Sequence, residues 1–260
     1  MQLVRARVGE SVRYGILADD AIQVLSGDPL LAADIGALAR GPSLPAGRCR
    51  LLAPVAPGKV FGVGGNYLAH AREVGLKASA VPPIFMKPPQ AVVGPGEPVV
   101  LPPPHVSARV EHEGELAVVI GRPARHVPRA DAASVVLGLT IANDVTARDL
   151  QRSDPEVTRA KGFDTFCPLG PHIETGAGIG GGLELTCRVN GELRQQGNTA
   201  DFVFDIATLI EFLSSWTTLL PGDVILTGSP AGTGPLAAGD EVVISVTGVG
   251  ELRHSVVAGP

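Results

Sequence analysis

Three glutamates alternate with other residues in the stretch EHEGELAVVIG. If this stretch is a strand, Glu111, Glu113 and Glu115 point to one face, because side chains two residues apart share a face. Ala117 and Val119 continue that face, which therefore enters the apolar core within two residues. Like charges at neighbouring same-face positions repel each other. A divalent cation would remove this repulsion, and a solvated strand face is the alternative interpretation.

A further carboxylate lies at the end of another apolar run. In VLGLTIANDVTARDLQ the strand pattern ends at Asn143, and Asp144 follows directly. Asp144 is well placed to supply a third ligand, although it could also cap a helix that begins in VTARDLQ. Asp149 is interpreted as a solvated or salt-bridged residue. Three carboxylates with water form an octahedral oxygen site, which suits Mg²⁺ or Mn²⁺, whereas a Zn²⁺ site would be expected to show a Cys/His cluster.

Three other side chains have types that could act on a substrate. Lys161 lies among glycine, aromatic and proline residues in RAKGFDTFCPLGP, so it could hold a substrate carboxylate or a developing enolate beside the metal. An ordinary surface lysine is the alternative. His70 and Glu73 are three residues apart in AHARE and would share a helical face. This spacing lets a carboxylate orient an imidazole as a general base, but it is also common in surface pairs.

Most of the elements that must position these residues are predicted to be strands. Apolar alternation predicts strands in residues 2–25 and in residues 59–63, 111–120, 135–143, 183–189, 224–228, 241–246 and 251–257. Helices are expected over Asn66–Leu76, with Asn66 as the N-cap, and around Phe204–Ser215. The strands are spaced too irregularly for a βαβ repeat. The sequence therefore predicts a mainly β fold with some α, built on a mixed β-roll or barrel-like sheet.

The chain is predicted to divide into two domains. Residues 1–53 form a small β-rich domain, with a short helix around Pro29–Leu38 and a linker over Gly41–Arg50, where turn-forming residues are dense. Because ~50 residues rarely hold a core alone, this piece is expected to cap the larger domain of residues 54–260. The proline-rich run after Leu76 forbids helix and predicts extended, loop-like chain.

Composition and charge exclude several classes of function. The formal net charge is −5 and lysine and arginine are scattered, which argues against a nucleic-acid partner. No signal peptide is visible, and no stretch approaches the ~20 apolar residues of a membrane helix. Cys49, Cys167 and Cys187 form no CxxC pair, so a reducing cytoplasm is the expected location. GVGG at Gly62–Gly65 lacks the full GxGxxG spacing of a dinucleotide loop.

Five segments, in this order, resemble the fumarylacetoacetate hydrolase family: GGNYLAHARE, VEHEGELAVVIG, NDVTARDLQ, KGFDTFCPLGP and LLPGDVILTGSPAGTGP. The resemblance runs from about Pro54 to the C-terminus, and the residues before it look like the small domain of bacterial two-domain members. It implies a mixed β-roll around a metal, usually in a homodimer. Members of this family include acylpyruvate and fumarylpyruvate hydrolases, oxaloacetate decarboxylases and 2-hydroxyhepta-2,4-diene-1,7-dioate isomerases.

The resemblance also implies which residues hold the metal. The family's ligands for Mg²⁺ or Mn²⁺ fall on Glu113, Glu115 and Asp144. Glu111 is then left for a supporting or structural role.

The remaining motif positions imply catalytic and substrate contacts. The His–Glu pair that activates water in the hydrolases falls on His70 and Glu73, and the lysine of the KGFDTF segment is Lys161. Substrate contacts fall on Gln151 and on Ser229, which stands in TGSP where the family has a threonine in TGTP. The change keeps a hydroxyl and loses a methyl, so it bears on substrate shape more than on chemistry.

Three hypotheses about function follow from these motifs. The first is metal-dependent C–C hydrolysis of an acylpyruvate or fumarylpyruvate, in which His70 activates water and the metal stabilises a pyruvate enolate. The second uses the same site for decarboxylation or isomerisation of a related oxo acid, such as oxaloacetate. The third is a metal- or ligand-binding protein without turnover.

Overall fold

The computed structural model describes residues 1–32, 34–73, 75 and 79–260. Its strands are β1 (Gln2–Val8), β2 (Ser11–Ala18), β3 (Ala21–Leu25), β4 (Arg40–Pro45), β5 (Arg50–Leu52), β6 (Val60–Val63), β7 (Ile84–Lys87), β8 (Val92–Val93), β9 (Val99–Leu101), β10 (Val110–His112), β11 (Gly114–Ile120), β12 (Val136–Asn143), β13 (Thr146–Ala147), β14 (Cys167–Glu174), β15 (Glu184–Val189), β16 (Glu192–Asn198), β17 (Val224–Leu226), β18 (Gly234–Pro235), β19 (Glu241–Val246) and β20 (Gly250–Ala258). The α-helices are α1 (Leu68–Glu73), α2 (Arg148–Ser153), α3 (Thr158–Lys161) and α4 (Ile206–Trp216). Short 3₁₀ helices lie at Ile35–Ala37, Ala46–Arg48, Pro89–Ala91, Arg129–Val135 and Thr199–Asp201.

The strands of the described residues form three sheets. The large sheet has the order β4-β3-β2-β1-β14-β12-β11-β17-β6-β7, with β5 paired to β1 and β8 paired to β14. A second sheet has the order β16-β15-β19-β20-β9, and a small one the order β13-β10-β18. The predicted mainly β fold with a few helices is confirmed.

The central strand β11 is buried on both faces, which explains its nearly continuous run of apolar residues. Leu116 and Val118 pack on one side in a cluster that includes the second sheet and the inner face of α4. Ala117 and Val119 pack on the other side in a cluster that also holds Leu3 from β1. The residues that follow Glu115 therefore lead directly into the core, as the alternation predicts.

The first 52 residues supply strands β1 to β5, and these strands extend the large sheet. Strand β1 pairs antiparallel with β14 through Gln2 and Glu174 and through Leu3 and Ile173. The strands predicted over residues 2–25 are confirmed. The predicted linker over Gly41–Arg50 is wrong, because most of it lies in β4, which pairs with β3, and in the 3₁₀ helix that follows.

Other element predictions need correction. Glu111–Ile120 is not one strand, because it divides at Glu113 into β10 and β11, which belong to different sheets. The helix around Pro29–Leu38 is reduced to a 3₁₀ turn, and residue 33 lies outside the described residues. The helix expected over Asn66–Leu76 is described as Leu68–Glu73, and residues 74 and 76–78 lie outside the described residues.

Asn66 does not act as a helix N-cap. Its Nδ2 donates to the backbone oxygens of Phe204 and Thr227, and its Oδ1 accepts from the N–H of Phe204. The side chain therefore ties the chain before α1 to two distant loops. Asp149, predicted to be solvated or salt-bridged, is partly exposed and accepts from the Ser107 hydroxyl and from the backbone N–H of Ala108.

None of the helices in the described ranges has the length and apolar character needed to cross a membrane. Cys49, Cys167 and Cys187 are all free thiols. Burial raises the pKa of both Cys167 and Cys187 to about 12, so these two thiols stay protonated at neutral pH.

Candidate active site

Three carboxylates converge where strands of the large and small sheets end. Glu113 lies between β10 and β11, Glu115 lies in β11, and Asp144 directly follows β12. One oxygen from each lies within 4.8 Å of the others, and all three side chains are buried. The N–H of Asp144 donates to the carbonyl oxygen of Glu113 (2.8 Å), and the N–H of Glu113 donates to Asn143 Oδ1 (2.9 Å). The structure therefore brings together the three predicted ligands. The two hydrogen bonds hold the backbone of Glu113 and Asp144 in place.

The surroundings of Glu115 show whether this triad fits a metal ion. Its carboxylate accepts a hydrogen bond from the N–H of Gly228 (2.7 Å). Burial, together with the neighbouring Asp144 and Glu113, raises the pKa of Glu115 well above its usual value. A buried carboxylate so close to two others is costly unless a cation neutralises it. Carboxylate oxygens are the ligands that hard divalent cations take, so the triad fits such an ion.

Lys161 lies directly against the triad. This agrees with the prediction, made from its glycine, aromatic and proline neighbours, that it lies beside an anionic site. Its Nζ donates to Glu113 Oε2 (2.7 Å) and to Asp144 Oδ2, and it lies 4.8 Å from the centre of the Phe85 ring. Burial opposes its charge, but Asp144 and Glu113 raise the pKa of Lys161 above its usual value. The lysine is therefore a buried ammonium group, not an ordinary surface lysine.

A second buried lysine contacts the other oxygen of Asp144. Lys87 ends β7, and its Nζ donates to Asp144 Oδ1 (2.6 Å) and to the carbonyl oxygen of Val145 (3.1 Å). The sequence pattern does not single out Lys87, which stands in the proline-rich run as one lysine among apolar residues. Lys87 and Asp144 are 57 positions apart in the sequence, so no local spacing could reveal their contact.

Arg148 is the other charged residue that the sequence did not single out. Its guanidinium donates to Glu111 Oε2 (2.7 Å), to Glu113 Oε1 (2.5 Å) and to Gln151 Oε1 (2.5 Å). Burial works against the ionised form of Glu111, yet Arg148 and Arg109 together lower the pKa of that carboxyl. Glu111 is therefore a structural partner of Arg148. The three-residue spacing of Arg148 and Gln151, which puts them on one helical face, is the signal that could have found this arginine.

The predicted His–Glu pair forms and faces the triad. His70 is buried in α1, with its Nδ1 3.1 Å from Glu73 Oε2 and its Nε2 3.9 Å from Glu113 Oε1. Glu73 also accepts from the N–H of Gly232, at 3.0 Å to Oε1 and 3.1 Å to Oε2. A carboxylate can only accept, so Glu73 holds the proton of His70 on Nδ1 and leaves Nε2 as an acceptor.

The two predicted substrate contacts, Gln151 and Ser229, line the same cavity. Gln151 accepts from Arg148 through Oε1, which leaves its Nε2 as the donor end of the amide. The hydroxyl of Ser229 accepts from Gln195 Nε2 (2.6 Å) and donates to the carbonyl oxygen of Gly114 (3.1 Å). Gln195, which the sequence reading also missed, therefore fixes the position of Ser229.

Eight of the polar side chains described above line one cavity of about 220 Å³. Its polar lining consists of His70, Glu113, Glu115, Asp144, Arg148, Gln151, Lys161 and Ser229. Its apolar wall includes Val63, Ile84, Phe85 and Val157. A space of this size, lined by cationic and acidic groups together, suits a small polar acid more than a large apolar ligand.

Comparison with known proteins identifies the family. Residues 59–257 match the family described as fumarylacetoacetate (FAA) hydrolase C-terminal, and residues 1–54 match Rv2993c-like, N-terminal. The human mitochondrial protein named oxaloacetate tautomerase FAHD2A is 43% identical over 228 residues, which cover 83% of this chain and 72% of that relative.

Two solved structures extend the comparison to the fold. A 5-carboxymethyl-2-hydroxymuconate delta-isomerase from Mycobacterium smegmatis is 44% identical, with a TM-score of 0.90 and coverage of 100% of both chains. A maleylpyruvate hydrolase from Sphingobium sp. SYK-6, solved with manganese (II) ion and pyruvate, is 34% identical, with a TM-score of 0.80 and coverage of 100% of both chains. The family match, the identities and the shared fold agree: the chain belongs to the fumarylacetoacetate hydrolase family.

Proposed function

We propose that the chain is a divalent-cation-dependent enzyme that converts small 2-oxo acids by way of their enolates. The observation that carries this proposal is the convergence of a carboxylate triad, a buried lysine and an oriented His–Glu pair on one small cavity. Each group corresponds to one requirement of enolate chemistry: a site for a cation, a fixed positive charge and a base.

Mg²⁺ or Mn²⁺ would be held by Glu113, Glu115 and Asp144, whose all-oxygen donor set both ions accept. When bound, the cation would supply Lewis-acid stabilisation of the negative charge that develops on the 2-oxo oxygen. The manganese and pyruvate in the structure of the maleylpyruvate hydrolase support this choice of ion and ligand class.

The charge balance of the site also supports a cation and an acidic substrate. Among the buried side chains described around the cavity, four are carboxylates and three are cationic: Glu111, Glu113, Glu115 and Asp144 against Lys87, Arg148 and Lys161. The cluster therefore carries a formal charge of 3 − 4 = −1, counting every carboxyl as ionised. A divalent cation changes the balance to +1, which attracts the carboxylate of an oxo acid.

His70 is the base of the proposed reaction. Glu73 keeps the imidazole proton on Nδ1, so Nε2 is free to accept a proton. Lys161, together with Gln151 Nε2 and Ser229, would orient the carboxylate and oxo groups of the substrate. The helix that carries His70 is held to the cavity by the contact between Glu73 and Gly232.

Among the candidate reactions, we favour proton transfer. His70 would remove a proton from the carbon next to the 2-oxo group, and the proton would return at the oxo oxygen in a tautomerisation or at a more distant carbon in an isomerisation. The relatives named as an oxaloacetate tautomerase and a delta-isomerase, at 43% and 44% identity, favour this order, although the motifs alone place hydrolysis first.

C–C hydrolysis of an acylpyruvate or fumarylpyruvate is the second candidate. His70 Nε2 would then accept a proton from water, the resulting hydroxide would attack the distal carbonyl, and the C–C bond would break to release pyruvate as its enolate. The resemblance to a maleylpyruvate hydrolase favours it. Decarboxylation of oxaloacetate uses the same enolate and needs no attacking water.

One set of assays separates these reactions. Oxaloacetate, acylpyruvates, fumarylpyruvate and a 2-hydroxy-dienoate are each incubated with the protein and Mg²⁺, Mn²⁺ or EDTA in D₂O. Deuterium exchange next to the oxo group reports proton transfer, and pyruvate and CO₂ release report cleavage and decarboxylation. Stabilisation by a cation and oxalate without any turnover would instead favour a ligand-binding protein.

The role of His70 is tested by His70→Ala and Glu73→Gln. We expect His70→Ala to reduce proton exchange or hydrolysis by about 10²–10⁴-fold, the usual contribution of a general base, while cation binding persists. Glu73→Gln should have a smaller effect, because it removes the orienting charge and keeps the base. Exchange or hydrolysis at the wild-type rate in His70→Ala would contradict the assignment.

We also propose that the chain acts as a cytoplasmic homodimer in which residues 1–53 form a small domain that caps residues 54–260. Three free cysteines support a reducing compartment, and the family resemblance supports the dimer. The net charge of −5 supports the absence of a nucleic-acid partner. Sedimentation equilibrium measures the dimer directly, and a monomer at micromolar concentration would contradict it.

A further inference from the structure

Asp144 differs from the other two carboxylates of the triad because a different lysine occupies each of its oxygens. Lys87 Nζ donates to Oδ1 (2.6 Å), and Lys161 Nζ donates to Oδ2. Lys161 also donates to Glu113 Oε2 and lines the cavity, so Oδ2 shares its donor with a second carboxylate of the triad. Oδ1 has its donor at the end of β7 instead.

Lys87 is held rigidly in this position. Its side chain is fully buried, and its Nζ has a second acceptor in the carbonyl oxygen of Val145. Its backbone pairs with Val60 in β6, and two prolines follow it directly. An ammonium group in such a place must keep its ionic partner, because an unpaired buried charge is very costly. Asp144 Oδ1 thus has a partner that cannot leave for solvent.

Lys87 does not line the cavity, whereas Lys161 does. It therefore has no direct route to a substrate in the cavity. Any effect of Lys87 on the reaction must pass through Asp144, because Lys87 donates a hydrogen bond to Oδ1 of that carboxylate.

We propose that Lys87 is a positioning residue that holds Asp144 Oδ1, so that Asp144 offers a divalent cation one oxygen, Oδ2, and the site favours Mg²⁺ over Ca²⁺. This inference rests on the cation site of the proposed function. Mg²⁺ requires near-ideal octahedral geometry with short bonds, whereas Ca²⁺ accepts more ligands and bidentate carboxylates. A carboxylate that can bind the cation through only one oxygen suits Mg²⁺. A carboxylate that can turn and bind through both oxygens suits Ca²⁺.

The test measures cation binding to EDTA-treated protein by titration calorimetry, for Mg²⁺ and Ca²⁺ separately. For Lys87→Met we expect a roughly 10- to 100-fold loss of Mg²⁺ affinity, the usual effect of losing a group that orients a ligand, and a smaller loss for Ca²⁺. Lys87→Gln retains an N–H donor for Oδ1 and should recover part of the Mg²⁺ affinity.

The matched control is Lys59→Met. Lys59 Nζ pairs with Asp223 Oδ2 (2.7 Å) beside the neighbouring strand β6, outside the triad, so its loss should leave both affinities unchanged. Far-UV circular dichroism and melting in EDTA establish that each variant is folded. If Lys87→Met does not fold, Lys87→Gln provides the comparison.

The sign of the change separates positioning from simple electrostatics. Removing a positive charge near the triad should by itself strengthen the binding of every cation. Equal gains for Mg²⁺ and Ca²⁺ in both Lys87 variants would therefore overturn the proposal, and so would wild-type affinities. Failure of the wild-type protein to bind either cation would instead overturn the proposed function together with this inference.

A kinetic measurement gives an independent readout. If Lys87 acts through Asp144, Lys87→Met should raise the Mg²⁺ concentration needed for half-maximal activity and leave kcat at saturating Mg²⁺ within a few-fold of wild type. A large loss of kcat that excess Mg²⁺ does not restore would contradict a role limited to positioning.

Discussion

At the scale of single residues, the position of Glu115 requires a compromise between stability and function. The carboxylate is buried and receives a backbone N–H, but burial and the charges of Asp144 and Glu113 raise its pKa. Keeping this group ionised therefore destabilises the folded protein when no cation is bound. The cost is offset when a cation binds.

Glu115→Gln should separate these two effects. We expect the variant to lose the rise in melting temperature that Mg²⁺ or Mn²⁺ gives the wild-type protein, because a ligand is lost. In EDTA it should be at least as stable as wild type, because the repulsion is removed. Thermal unfolding with and without each cation measures both, and Glu192→Gln, at an exposed position, is the control. A retained cation-dependent rise would contradict the assignment of Glu115 as a ligand.

At the scale of secondary-structure elements, a buried hydrogen-bonded connection joins the two larger sheets behind the triad. Asn143 at the end of β12 accepts from the N–H of Glu113, and its Nδ2 donates to His254 Nε2 (2.9 Å) in β20. Because Nε2 accepts, His254 is neutral. Burial, with a contribution from His112, lowers the pKa of His254 from 6.5 to about 4.

This connection predicts a loss of stability in acid. The folded pKa is depressed, so the unfolded chain takes up a proton first as the pH falls. The stability is present above about pH 6.5 and declines as the pH falls towards 4, by at most about 3 kcal/mol for this residue at ~1.36 kcal/mol per pKa unit. Urea unfolding between pH 7.5 and 4.5 measures it. We expect His254→Gln to reduce the pH dependence and His105→Gln, at an exposed histidine, to leave it unchanged.

The elements also explain which parts of the site the sequence could predict. Glu113 and Glu115 follow from period-two spacing, His70 and Glu73 from helical spacing, and Asp144 from the end of an apolar run, all of which are local patterns. Lys87 and Gln195 could not be predicted in this way, because their contacts depend on how distant strands pair; Gln195 meets His112 across 83 residues of sequence. The division of Glu111–Ile120 into two strands was missed for the same reason, since the pattern does not record which sheet each half joins.

At the scale of the whole molecule, the N-terminal strands share both a sheet and a core with the rest of the chain. Leu3 is fully buried in the same cluster as Val119 and Leu169, which belong to strands beside the triad. Strand β1 continues the sheet through β14. This arrangement predicts that the first strands and the site-bearing strands unfold together.

Leu3→Ala tests this coupling. We expect a loss of about 2–5 kcal/mol in the free energy of unfolding, the usual range for a buried leucine. Trp216, the single tryptophan, lies in α4, far along the chain from Leu3, and its fluorescence should report the same shifted transition as far-UV circular dichroism. Leu31→Ala, at a side chain that is 85% exposed, should cause little change. A Trp216 transition that does not shift would show that the first strands unfold independently.

The loop from Gly228 to Gly232 contributes to the site through two backbone amides as well as through the hydroxyl of Ser229. The N–H of Gly228 meets Glu115, and the N–H of Gly232 meets Glu73. Both glycines have positive φ, +96° and +99°, and a Cβ at Gly232 would lie 2.0 Å from the carbonyl oxygen of Arg194. Random mutagenesis with selection for activity should therefore find these two glycines almost invariant, while Ala231 between them tolerates many residue types. Evolution could then vary the side chains of this segment to change substrate preference without disturbing the chemistry that its amides support.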